Sequence, residues 1–172
     1  MPTDAELTFA DHTGRFYARR YSFPPMVGRL IGYLAVCDPP EQTIGDLAEA
    51  LLASRSAIAG AVNVLEAIHV IRRSRAAGER MDRVRIDMSS RQALGMDIAE
   101  YEELREVAQE GLEVLRGTPV ERRAVLLEMF AFADFLVERI PALEQEWMQR
   151  RAALVAEGRL PAVARAQHGD RA

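Results

Sequence analysis

Residues 43–86, TIGDLAEALLASRSAIAGAVNVLEAIHVIRRSRAAGERMDRVRI, decide the fold. Asp38-Pro39-Pro40 stops whatever precedes this stretch, Thr43 offers a side-chain cap, and Asp46 places negative charge in an opening helical turn. Ile44, Leu47 and Leu51 then fall on one face. After a break at Leu52-Ala53, Ser54 is a second cap, and Ile58, Val62 and Leu65 recur at helical spacing. Arg55, Ser56, Ala59, Gly60 and Asn63 lie off that stripe, so the second helix has an anchored face and a free one.

Val70-Ile71 follows as a β-branched run, then Arg72-Arg73, then a turn around Gly78, then the alternating Val84-Arg85-Ile86, which together predict a two-stranded hairpin. Six arginines (72, 73, 75, 80, 83, 85) stand against Glu79 and Asp82 there, a local surplus of four positive charges in a chain of net charge -4. Helix, turn, helix and basic hairpin is the order of a winged helix-turn-helix.

These residues resemble a family. Leu47-Ala48-Glu49, Ser54-Arg55-Ser56, Val62 to Leu65-Glu66, Val70-Ile71-Arg72-Arg73 and Gly78-Glu79-Arg80 look like the MarR-type winged-helix regulators. Phe23 to Leu34 and Asp38-Pro39-Pro40 resemble more narrowly the GbsR-like branch. The resemblance spans residues 20–90 and implies a homodimeric, DNA-binding transcriptional regulator, often a repressor released by a small effector. There are three departures. Leu52 and His69 stand where such proteins usually carry glycine, and Asn63 where many carry a basic residue.

At 172 residues, 49% hydrophobic and 28% charged, the chain has the size and composition of one globular domain rather than of a disordered or membrane protein. It has no apolar run of about 18 residues and no signal-peptide pattern at Met1 to Glu6, so a cytoplasmic location is expected. A single cysteine, Cys37, excludes an intramolecular disulfide, and His12, His69 and His168 give no metal spacing. No nucleophile, base and orienting group cluster, so neither an enzyme nor a cofactor is expected. All 22 basic residues are arginine, which reflects base composition more than function.

The flanks read as helices. Leu7, Ala10, Gly14, Tyr17 and Tyr21 form a stripe behind a Thr3/Glu6 capping box, and Pro24-Pro25 begin a second helix with Val27, Leu30, Ile31, Leu34 and Cys37 as core. Beyond the hairpin, Ser89 or Ser90 can cap a helix running to Gly117, about 40 Å long. Thr118, Pro119 and Glu121 supply cap, first-turn proline and capping-box acid for another; Pro141 kinks or ends it, and Leu143, Trp147 and Leu154 suggest one more. Leu126 to Leu136 is apolar almost all round, and a second subunit is the simplest cover. Asp97 to Glu146 holds thirteen acids and five arginines, which suits a surface turned away from DNA.

The expected fold is therefore mainly α, a winged helix-turn-helix with a small two-stranded wing and flanking dimerisation helices. Residues 1–40 would be N-terminal helices, 41–88 the DNA-binding region, 89–158 the long C-terminal dimerisation helices and 159–172 a flexible tail. The candidate contacts to double-stranded DNA are Ser54, Arg55, Ser56, Ala59, Gly60 and Asn63 on the second helix, and Arg73, Arg75, Arg80 and Arg83 on the wing. Gly60 suits close approach to DNA or equally close packing on the preceding helix. Tyr17, Phe23, Tyr33 and Phe130 are candidates to wall an effector pocket, although aromatics at helical spacing also serve simply as core. The alternative function is a winged-helix protein-interaction module without DNA binding, favoured by the acidic total and Asn63 and opposed by the basic wing.

Overall fold

The computed structural model describes residues 1–75, 78, 80–88 and 93–161, in two compact units that divide at Gly95–Met96. The first holds α1 (Asp4–Tyr21), α2 (Pro25–Val36), β1 (Gln42–Thr43), α3 (Ile44–Ala50), α4 (Arg55–Ala67), β2 (Ile71–Ser74) and β3 (Arg83–Ile86). The second holds α5 (Ile98–Val114) and α6 (Val120–Ala156).

In the first unit α1 opens on the Thr3/Glu6 capping box and ends at Ser22, in left-handed conformation. Proline in the first turn starts α2, whose Val27, Gly28, Leu30, Ile31, Gly32, Tyr33 and Leu34 are all buried. The two helices meet at backbone contact. A Cβ on Gly28 would lie 2.8 Å from the Cα of Gly14, and one on Gly32 would lie 2.8 Å from the Cα of Ala10. Arg29 spans the junction, its Nε 2.7 Å from Asp11 Oδ1 and its Nη1 donating to the Leu51 carbonyl at 3.3 Å. The guanidinium thus ties α1 and α2 to the C-terminal end of α3.

The core continues from α2 into the helix-turn-helix. Leu47, Leu51, Ile58, Val62 and Leu65 are each at most 1% exposed, as their spacing predicts, and Val84 closes the cluster from the sheet at 0%. Complete burial of side chains of this size contributes about 1.5–3 kcal/mol each. The sheet differs from the expected two-stranded hairpin: β1 pairs antiparallel with β3, giving the order β1-β3-β2, with Gln42 opposite Val84 and Arg73 opposite Val84 on the other side. An N-cap residue is already extended, with Thr43 at φ -79° and ψ 162°, so the backbone ahead of α3 can fill the open edge of β3.

In the second unit α5 and α6 pack antiparallel, with Arg105 3.0 Å from Asp134 and Gly111 seated against Leu126. Three helix boundaries correct the expectation. The start of α5 is Ile98, capped by Asp97, which makes 17 residues or about 25 Å; Ser89 and Ser90 lie outside the described residues. Thr118 does not cap α6: its hydroxyl donates to the Leu115 carbonyl at 2.7 Å, leaving Pro119 as an N-cap without a side-chain bond. Finally, α6 runs unbroken through Pro141 for 37 residues, about 55 Å, so Leu143, Trp147 and Leu154 belong to the same helix. Pro141 is exposed, and solvent can serve the backbone carbonyl left without a donor. Most of the expected tail, residues 162–172, lies outside the described residues.

Two outcomes follow. Gly28→Ala is expected to destabilise the protein by about 1–3 kcal/mol, because its methyl meets backbone rather than a movable side chain; urea unfolding beside wild type measures this. The Asp46 carboxyl is held below its ordinary 3.8 by the Thr43 backbone N–H and then the Thr43 hydroxyl. Its contribution is therefore full above pH 3.8 and is lost as pH falls through the lower folded value, so the stability gap between wild type and Asp46→Asn should narrow only in that acid window.

Candidate nucleic-acid interface

Residues at both ends of α4 present it. Leu52, at φ 51° and 90% exposed, reverses the chain out of α3, and Ala53 N–H closes the turn on the Ala48 carbonyl at 2.9 Å. The Ser54 side chain then accepts from Ala57 N–H at 3.1 Å, and its hydroxyl lies 3.0 Å from that of Ser56. At the far end Ile68 closes the helix and His69, at φ 56°, reverses the chain into β2. Leu52 and His69 are the positions where the sequence departs from the usual glycines, and both hold the left-handed backbone that glycine adopts freely. The turn geometry is kept at a cost of about 1–2 kcal/mol per residue.

The buried stripe Ile58-Val62-Leu65 leaves the opposite face to solvent. Ser54, Arg55, Ser56, Gly60 and Asn63 are exposed and Ala59 is half-buried, so the six helix candidates share the outer surface of α4 and its N-terminal cap. No atom lies within 4 Å of a Cβ built on Gly60, which removes close packing on α3 as its reason. Free amides, hydroxyls and one cation at a helix N-terminus can hold an anion.

The hairpin arginines divide into two sets that sequence alone did not separate. Arg72 pairs with Asp87 at 2.9 Å, Arg73 with Glu66 at 2.9 Å, Arg75 with Asp82 at 2.6 Å and Arg85 with Glu41 at 3.6 Å. Three of those acids lie outside the Arg72–Arg85 stretch, so a count within it overstated the free charge. The fit is closest between Arg75 and Asp82, where the hydrogen bond holds the carboxyl low and the guanidinium high. Arg83 is also engaged, its positive charge acting on Asp46. Arg55 and Arg80 have no acidic partner among the described residues, and both are exposed. Arg73 also donates through Nη2 to Asn63 Oδ1 at 2.8 Å, a link between the wing and α4 that no sequence periodicity signals.

The effector candidates fall in different places. Tyr17 and Phe23 stack at 6.2 Å between ring centroids, next to Tyr21, on the α1–α2 corner. Tyr33 is 6% exposed within the core of the first unit. Phe130 belongs to the second unit, where it lines an open cavity of about 340 Å³ with Arg105, Glu106, Gln109 and Glu110.

A capped helix with a free polar face, fixed by a buried stripe and flanked by an antiparallel sheet whose loop carries a free arginine, defines a winged helix-turn-helix of the DNA-binding class. A model of MmpR5-like MarR family transcriptional regulators matches residues 90–151. The HTH-type transcriptional regulator MmpR5 of Mycobacterium tuberculosis (strain ATCC 25618 / H37Rv) is 33% identical over 124 residues, 72% of this chain and 74% of that protein. A crystal structure of a transcriptional regulator, 29% identical, superposes with a TM-score of 0.77 over 84% of this chain and 99% of the other. The chain belongs to the MarR family of transcriptional regulators. The family model matches the α5–α6 region, complementary to residues 20–90 that carry the resemblance in the sequence.

Because Leu52 buries little and strains its backbone, Leu52→Gly should raise stability by about 0.5–1 kcal/mol, strain relief outweighing the added freedom of the unfolded chain. A higher thermal midpoint checks this; a lower one would assign the side chain a packing role.

Proposed function

We propose that the protein is a homodimeric repressor of the MarR family, of the GbsR-like branch that Phe23–Leu34 and Asp38–Pro40 resemble, and that it binds a near-palindromic operator in the cytoplasm. Each subunit lays α4 in a major groove, with Ser54, Arg55, Ser56, Ala59, Gly60 and Asn63 toward the duplex, while the loop between β2 and β3 holds the neighbouring backbone. The observation that carries this reading is the placement of Arg55 and Arg80: among the described residues of α4 and the hairpin, the cations left without acidic partners stand at the start of α4 and in the wing loop. Arg75 and Arg83 come second, since each must exchange a protein partner for phosphate. Two α4 helices would meet half-sites about 34–36 Å apart, one turn of duplex.

The second unit supports the dimer. Only Ala133 and Ile140 of α6 are buried, whereas Val125, Phe132, Phe135, Leu143 and Met148 are each more than half exposed. An apolar helix face of that length needs cover, and a second copy supplies it symmetrically. No single helix among the described residues is long and apolar enough to cross a membrane. A small effector would act by favouring one arrangement of the two winged units, to the extent of its differential affinity for the two arrangements.

The pairing of Arg72, Arg73, Arg75 and Arg85 with acids favours a second reading, a winged helix that binds a protein partner. Titration of operator-selected duplex at several salt concentrations separates the two. Under the DNA reading log K falls steeply with log salt, and Arg80→Ala lowers the slope by about two, one phosphate per subunit. No measurable affinity at low salt would leave the protein-binding reading standing.

A further inference from the structure

We propose that Arg73 sets the base preference of the regulator by fixing the amide of Asn63, so that α4 reads guanine rather than adenine at the base facing residue 63. This rests on the operator-binding reading above. Arg73 lies on β2, opposite the fully buried Val84, and its guanidinium reaches α4 at two points: Nε to Glu66 Oε2 at 2.9 Å and Nη2 to Asn63 Oδ1 at 2.8 Å. A guanidinium only donates, so the amide oxygen must face it and the amide NH2 is turned away. Glu66 holds the other side of the fork, and planar two-point attachment leaves the guanidinium little freedom to rotate.

The consequence is chemical. A free asparagine reads adenine bidentately, accepting from N6 through its oxygen and donating to N7 through its nitrogen. With Oδ1 engaged, Asn63 offers donors alone. In the major groove guanine presents two adjacent acceptors, N7 and O6, adenine puts a donor beside its single acceptor, thymine puts a methyl beside its single acceptor, and cytosine presents a donor. Guanine is therefore the matching edge. Asn63 is exposed on the same surface as Arg55 and Gly60, so its NH2 is available to a base. Arg73 is a positioning residue here, and its charge is balanced by Glu66 instead of meeting phosphate.

The test is selection from random duplexes by full-length wild type, Arg73→Met, Asn63→Asp and Arg80→Ala, with thermal melts of each. Wild type is expected to select one guanine per half-site that depends on residue 63. Arg73→Met, which frees Oδ1, should move that position to adenine by about tenfold in relative preference. Asn63→Asp keeps an acceptor for the Arg73 guanidinium, hence the fold, but has no donor, so the guanine should be lost at unchanged thermal midpoint. Arg80→Ala should weaken all sites alike. If Arg73→Met lowers affinity uniformly with no change of base, or Asn63→Asp retains the guanine, the inference is overturned while operator binding stands. If wild type selects no sequence, operator binding and this inference fall together.

Discussion

Backbone contact between α1 and α2 is the constraint on which the rest of the first unit depends. Gly14, Gly28 and Gly32 leave no room for a side chain, so the two helices cross at the distance their main chains allow. With α1 seated this deeply, α2 turns Leu30, Ile31 and Leu34 into the core shared with Leu47, Ile58, Val62 and Leu65. The orientation of α4 is thereby set from behind. Arg29 adds a polar strut from Asp11 to the carbonyl at the end of α3, next to the left-handed Leu52. The turn that aims α4 is held by packing on one side and by a guanidinium on the other.

Electrostatics on the free side are sparser than composition suggests. The hairpin is arginine-rich, yet acids drawn from β1's approach, from α4 and from the end of β3 neutralise much of it. Exposed ion pairs of this kind contribute little stability, commonly under about 1 kcal/mol. Their effect is on geometry: they hold long side chains in fixed places. Unpaired cations are left at Arg55 and Arg80, among the described residues of this surface, and a polar group on the outer face of α4, Asn63, is already engaged by the wing.

In the second unit the opposite economy holds. A small residue, Gly111, lets Leu126 of α6 come close to α5, and a cross-helix pair, Arg105 to Asp134, fixes their register. Pro141 interrupts the hydrogen-bond ladder without ending the helix, because the residues on both sides keep helical propensity and the position faces solvent. A proline predicts a lost donor; whether the helix stops there depends on what packs alongside.

The local devices were legible in the sequence for local reasons. Thr43/Asp46 and Ser54 cap helices through bonds spanning three residues, Pro25 opens α2, and the Ile58-Val62-Leu65 stripe encodes which face of α4 is buried. The resemblance marked Leu52 and His69 as places where glycine is usual, but L-chirality disfavours a left-handed backbone there, and only the fold showed that both adopt it. Tertiary structure alone decided the rest. The pairing of β1 with β3 turns on which neighbour fills an open sheet edge, and the continuity of α6 through Pro141 on the solvent exposure of that position. So does the division of the arginines: a charge in sequence is only a formal charge, and its availability depends on acids such as Glu66, Asp87 and Glu41 that folding brings within 4 Å.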